Sequence, residues 1–141
     1  MSGTVTPILI LTHGELGSVL LHVAQGMYGA LADVQALAMG PHEGPEDYAV
    51  RVQQAARGLH GQPLVLVDLA CGTPWNVACK CGLAQGGEVL AGLSLPLLLE
   101  ALGLRDGMPP KEMAAELVKR VPTTFLRASV LLTGTDTGAC Q

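Results

Sequence analysis

Aliphatic residues run unbroken from Ile8 to Leu11 and stop at Thr12-His13-Gly14. A run that ignores the polar alternation of a half-exposed strand reads as a strand buried on both sheet faces, here about Pro7 to Leu11. From Glu15 to Tyr28 the period changes: Leu16, Val19, Leu20, Val23 and Met27 recur at helical spacing on one face, with His22 on the opposite, solvated face. Gly29 ends that helix. A second strand, Val34 to Met39, leads into the turn-rich Gly40-Pro41-His42-Glu43-Gly44. Pro45 then opens a helix whose buried stripe is Tyr48, Val52, Ala55, Ala56 and Leu59.

The third aliphatic strand, Pro63 to Leu69, carries Asp68 at its end. Ala70-Cys71-Gly72-Thr73-Pro74 follows as a tight turn into a third helix, with Thr73 as N-cap and Pro74 as first helical residue. A fourth strand is expected near Glu88 to Leu93, a leucine-rich helix from Leu95 to Leu102, and a further helix from Pro110 to Val121 after the Arg105 to Pro109 break. Thr124 to Leu132 is aliphatic and β-prone, and the tail after about 133 reads as mobile. Strands alternating with helices imply right-handed βαβ crossovers. The expected fold is α/β, an open, mostly parallel sheet of order 2-1-3-4 with helices on both faces.

The chain of 141 residues is the size of one domain, 1–141, with no internal repeat or linker. Its net charge of −4 leaves no basic stripe for a phosphate backbone, so nucleic acid is not an expected partner. No apolar stretch reaches the roughly 18 residues of a membrane span, and no signal-type leader is apparent. A cytoplasmic location is the simplest expectation. Cys71, Cys79, Cys81 and Cys140 lack the paired spacing of a zinc site, so no metal is expected.

In a doubly wound sheet, strands one and three are neighbours whose chains leave in opposite directions, and His13 and Asp68 then meet at the mouth of the crevice. A carboxylate that holds one imidazole N–H leaves the other nitrogen free to attack. The helix beginning at Gly72-Thr73-Pro74 adds backbone N–H groups and a positive dipole end, an anion site. Nucleophilic His13, orienting Asp68 and phosphoryl-binding Gly72 and Thr73 together point to phosphoryl transfer. There is no glycine-rich Lys-Ser/Thr phosphate loop and no cofactor motif, so a protein donor fits better than a nucleotide. Each residue also has a plain structural account: a solvent-facing histidine, a turn-capping aspartate, a Thr-Pro helix start. His42 stands at the rim of the crevice, and His60 lies in a turn apart from it.

Thr12-His13-Gly14, then Val67-Asp68-Leu69-Ala70-Cys71-Gly72-Thr73-Pro74-Trp75-Asn76, then Ala91-Gly92-Leu93-Ser94-Leu95-Pro96-Leu97-Leu98-Leu99-Glu100 resemble, in order and spacing, the IIA component of the mannose-family bacterial phosphotransferase system. The resemblance implies a phosphocarrier that takes a phosphoryl group from HPr onto His13 and passes it to a IIB component, which phosphorylates an incoming sugar. Asp68 would hold the imidazole, Gly72 and Thr73 would donate to the phosphoryl oxygens, and Thr12 would neighbour them. Contact with the membrane would be indirect, through IIC and IID components. The family also implies a homodimer in which the last strand, here Thr124 to Leu132, is exchanged and extends the partner's sheet in the antiparallel sense; folding back within one chain is the alternative.

Where the family often has Gly-Gly-Ser-Pro-Phe-Asn, this chain has Cys71-Gly72-Thr73-Pro74-Trp75-Asn76, keeping the hydroxyl and the aromatic but placing a side chain at Cys71. Two other readings compete. One is the related subunit that feeds dihydroxyacetone kinase, which commonly shows Ser-His-Ser at the first motif. The other is a non-catalytic regulatory interaction module of the same fold.

Overall fold

A computed structural model of the protein describes residues 4–84 and 86–133. Four strands, β1 (Ile8–His13), β2 (Val34–Met39), β3 (Leu64–Val67) and β4 (Glu88–Ala91), pair in parallel in the order β2-β1-β3-β4. Helices α1 (Leu16–Tyr28), α2 (Pro45–Arg57) and α3 (Thr73–Ala84) connect them, and α4 (Leu95–Leu104) and α5 (Pro110–Arg120) follow. The order and parallel sense agree with the alternation in the sequence. Element ends differ by a few residues: β1 runs on to His13, β3 stops at Val67, and Asp68 stands just past the ladder.

Strand alternation sorts the core into two layers. Ile8, Ile10, Leu64 and Leu66 pack with Ala24 of α1, Leu98 of α4 and Met113 of α5. Leu9, Leu11, Val65 and Val67 pack on the other face with Tyr48 and Val52 of α2 and Val77 and Ala78 of α3. Burying each such aliphatic side chain contributes roughly 1.5–3 kcal/mol, so the sheet is a firm platform for whatever stands at its ends.

The buried face of α1 is not the one periodicity selects. Leu16, Val19, Val23 and Met27 are exposed, whereas Gly17 and Ala24 are buried and Leu20 and Leu21 are packed against the core. Small residues decide this. A Cβ on Gly17 would stand 2.7 Å from Ile10 Cγ2, so α1 lies closer to β1 there than any larger residue permits. His22 is exposed, as its position on the helix suggests.

The segment Thr124 to Leu132, expected as a strand, is helical where it is regular. A 3-10 turn spans Val121–Thr124 and a short helix, α6, spans Ala128–Leu132. A strand must borrow its hydrogen bonds from a neighbouring edge, whereas a helical turn closes its own. Here the Val130 and Leu131 amides donate to the Arg127 carbonyl at 3.1 and 3.2 Å. Among the described residues β4 pairs with β3 alone. The tail beyond 133 lies outside the described residues.

Candidate functional site

β1 turns into α1 on one face of the sheet and β3 turns into α3 on the other, which opens a crevice between the carboxyl ends of these adjacent strands. His13 ends β1 and Asp68 follows β3, and the pair spans that opening.

His13 Nδ1 lies 2.9 Å from Asp68 Oδ2, and the same oxygen accepts the His13 backbone N–H at 3.0 Å. Asp68 Oδ1 accepts the Leu69 N–H at 3.0 Å. Burial alone would raise the Asp68 carboxyl. The backbone and side-chain hydrogen bonds from His13, the charge of that ring, and the Leu69 amide outweigh burial and hold the carboxyl below its ordinary range. An ionised carboxylate only accepts, so the Nδ1 that meets it carries a proton, and in the neutral ring Nε2 is then the nitrogen with the lone pair. The His13 side chain is 51% exposed while that of Asp68 is 9% exposed, so the carboxylate is sheltered and the imidazole is open.

Nε2 faces Gly72. A Cβ on this residue would stand 3.6 Å from Nε2 and 3.5 Å from Cε1, and its φ of +113° is one that L side chains rarely adopt. Glycine thus keeps open the space in front of Nε2. The Gly72 carbonyl accepts the Asn76 N–H at 3.0 Å, so α3 starts one residue earlier than expected, with Thr73 at its first position. Pro74 has no N–H, which leaves the Gly72, Thr73 and Trp75 amides as the main-chain donors around this helix start. Thr73 lines a hollow with Pro45, Glu46, Asn76 and Lys80. Cys71, next to this turn, is exposed and holds a φ of +72°.

The structure therefore brings His13, Asp68 and Gly72 together, with Thr73 next in the chain at the first position of α3, but it does not bring Thr12 among them. Strand alternation turns Thr12 to the α1 face, opposite to His13. Thr12 is 1% exposed; its hydroxyl donates to the Gly14 carbonyl at 3.1 Å and accepts the Gly17 N–H at 3.0 Å. His42 is exposed on the loop after β2, while Met39, Gly40 and Pro41 of that stretch line a hollow beside His13. His60 pairs with Asp33 elsewhere, at 3.0 Å. Among the described residues no group of three or more His, Cys, Asp or Glu could hold a metal ion.

Sequence reasoning missed the braces around the site. The Gly14 N–H donates to the Met39 carbonyl at 3.0 Å, tying the histidine turn to the end of β2. Arg51 Nη1 donates to the Ala38 carbonyl and to Glu43, which in turn accepts the Gly40 N–H. Tyr48 donates to the Leu37 carbonyl at 2.7 Å, and burial pushes its phenol far up, so it stays a donor. No motif announces these contacts. The one signal was the placement of Tyr48 and Arg51 three residues apart on α2.

Residues 7–118 match the EIIA-man family, described as the PTS system fructose IIA component. The chain is 36% identical over 107 residues to the sorbose-specific EIIA component of the Klebsiella pneumoniae phosphotransferase system, covering 74% of this chain and 78% of that one. Among solved structures it is similar to a phosphotransferase system EIIA from Streptococcus agalactiae, with a TM-score of 0.81, 23% identity and coverage of 89% and 98%. It is also similar to a mannose/sorbose-specific IIA subunit from Enterococcus faecalis, with a TM-score of 0.79, 25% identity and coverage of 88% and 95%. The chain belongs to the mannose family of IIA components of the sugar phosphotransferase system.

Proposed function

We propose that the chain is a cytoplasmic phosphocarrier that accepts a phosphoryl group from phospho-HPr on His13 and passes it to a IIB component for sugar uptake. The observation that carries this reading is the His13 ring, held through Nδ1 by Asp68 with Nε2 turned to the open space at Gly72. In the forward step the Nε2 lone pair forms the new N–P bond while the N–P bond of the donor phosphohistidine breaks, and that bond's electron pair stays on the donor ring. The Nδ1 proton remains in place, so the phosphorylated His13 ring carries positive charge, which the Asp68 carboxylate stabilises. The Gly72 and Thr73 amides and the Thr73 hydroxyl donate to the phosphoryl oxygens at the positive end of the α3 dipole. The same geometry read backwards releases the group to the IIB acceptor.

Among the described residues no helix is long and apolar enough to cross a membrane, and contact with IIC and IID would run through IIB. A homodimer belongs to the same reading. Phe125, Leu126 and Leu132 are 82%, 50% and 87% exposed, apolar surface that a second copy would cover. Exchange of this segment as a strand would require α6 to unwind.

Incubation with phosphoenolpyruvate, enzyme I and HPr is expected to place one acid-labile phosphoryl group on His13, and addition of a IIB protein to discharge it. Labelling that persists in His13→Ala overturns the assignment. Discharge to a dihydroxyacetone kinase subunit in place of IIB would redirect the acceptor.

A further inference from the structure

We propose that Thr12 is a positioning residue for phosphoryl transfer: its buried hydroxyl sets the angle at which the chain leaves β1 and thereby aims the His13 ring. The inference rests on the phosphocarrier reading of His13. Thr12 faces the α1 layer with Ile8 and Ile10, so it never meets a phosphoryl group. What it meets is the turn itself. One hydroxyl donates to the Gly14 carbonyl and accepts from the Gly17 amide, closing a ring that spans His13 from both sides and ends on the first turn of α1.

Gly17 makes this contact possible, because a Cβ there would stand 3.2 Å from Thr12 Oγ1 as well as 2.7 Å from Ile10 Cγ2. The Gly17 N–H belongs to the first turn of α1 and has no carbonyl of its own helix to meet, so the hydroxyl is its partner. Gly14 sits at φ +59° between the two bonds, a conformation with soft alternatives for glycine. Without the hydroxyl the turn loses both of these bonds on the α1 side, although the Gly14 N–H remains tied to Met39.

The His13 backbone N–H and ring Nδ1 both engage one oxygen of Asp68. Both groups hang from the His13 N and Cα, so a small displacement of that residue as the turn loosens moves both bonds at once and swings Nε2 away from the opening at Gly72. Reacting groups displaced by about 1 Å lose on the order of 100-fold in rate, and the turn is well placed to produce such a shift.

The test pairs Thr12→Ser with Thr12→Ala, which both lose the methyl group and differ only in the hydroxyl, with Thr12→Val as the isosteric variant. Rapid-quench phosphorylation by phospho-HPr is expected to show Thr12→Ser within about threefold of the wild type. Thr12→Ala and Thr12→Val should be slowed about 10- to 100-fold in the transfer step, with the half-saturating HPr concentration unchanged. Nitrogen-15 shifts of the His13 ring, recorded without any donor, should show the Nδ1–H tautomer in the wild type and Thr12→Ser and a mixture of tautomers in Thr12→Ala. Equal transfer rates and identical ring shifts in the Ser and Ala variants would overturn the proposal. A wild type that takes up no phosphoryl group would instead overturn the phosphocarrier reading, and the ring shifts would still decide the role of Thr12.

Discussion

Among the described residues two histidine–aspartate pairs stand at opposite ends of the sheet, and they differ in what surrounds them. His13 and Asp68 meet at the carboxyl edge at 2.9 Å; His60 and Asp33 meet at the amino edge at 3.0 Å. In a parallel sheet with returning helices the helix N-termini gather at the carboxyl edge and the C-termini at the amino edge. α3 begins beside His13, whereas α2 ends at Arg57, three residues before His60. A phosphoryl dianion is stabilised by the first arrangement and repelled by the second. Shelter differs too: Asp68 is 9% exposed and takes three N–H contacts, while Asp33 is 23% exposed and its partner ring is 85% exposed. Two residues within hydrogen-bond reach make a pair. A site needs the helix start and the glycine opening as well.

Replacing each aspartate tests that contrast most severely. Both Asp68 oxygens accept N–H groups, and asparagine offers only one acceptor, so Asp68→Asn must point its amide at a donor or release the ring. Transfer from phospho-HPr is expected to fall by roughly 10²- to 10⁴-fold, as for loss of a group that fixes an imidazole tautomer. Asp33→Asn should stay within about twofold, because no step of the proposed transfer touches it. Equal losses at the two ends would erase the distinction.

Two glycines sharpen it next. Gly29 and Gly72 both hold positive φ, +84° and +113°, but a Cβ on Gly29 meets nothing within 4 Å whereas one on Gly72 reaches the His13 ring. Alanine at either position is expected to cost about 1–2 kcal/mol of stability in urea unfolding, from the backbone strain they share. Only Gly72→Ala should also slow phosphoryl uptake, by about 10-fold or more, because it fills the space before Nε2. Slowing by Gly29→Ala to the same degree would make strain, and not blockage, the cause.

Acid provides a third probe. Asp68 has a folded value below its ordinary one, so folding favours its ionised form. That contribution is complete above the unfolded value of about 3.9 and disappears as the pH falls through the folded value. The stability difference between wild type and Asp68→Asn, from urea midpoints, should therefore hold from pH 7 to 5 and shrink toward pH 3. A difference that grows on acidification would reverse the assigned direction.

Much of this contrast was legible in the residues. Aliphatic runs located β1 to β4, Pro45 and the Tyr48-Val52-Ala56 stripe located α2, and strand order followed from the alternation. The strand ends then brought His13 to Asp68. Three features were not legible, for physical reasons. Apolar residues cover so much of α1 that periodicity does not choose among its faces, and the close approach at Gly17 decides instead. Thr12 adjoins His13 in sequence, but alternation along β1 turns it away, so the neighbour in the chain is not a neighbour in the crevice. Thr124 to Leu132 has strand-forming composition but pairs with no described strand, and local hydrogen bonds close its turns instead.

Cys71 is where the smallest effect is expected, and it tests how closely the carboxyl edge is tuned. It occupies φ +72°, at which its Cβ costs about 1–2 kcal/mol relative to glycine. Cys71→Gly relieves that strain, yet it also frees the unfolded chain, which offsets about 0.4–1 kcal/mol. The net gain in urea stability should be no more than about 1 kcal/mol. Because Gly72, not Cys71, faces Nε2, phosphoryl uptake should change by less than about threefold, well short of the effect of a blocked or misaligned nucleophile. A loss as large as that of Gly72→Ala would mean that the Cys71 side chain helps hold the turn, and the opening before His13 would then depend on two consecutive residues instead of one.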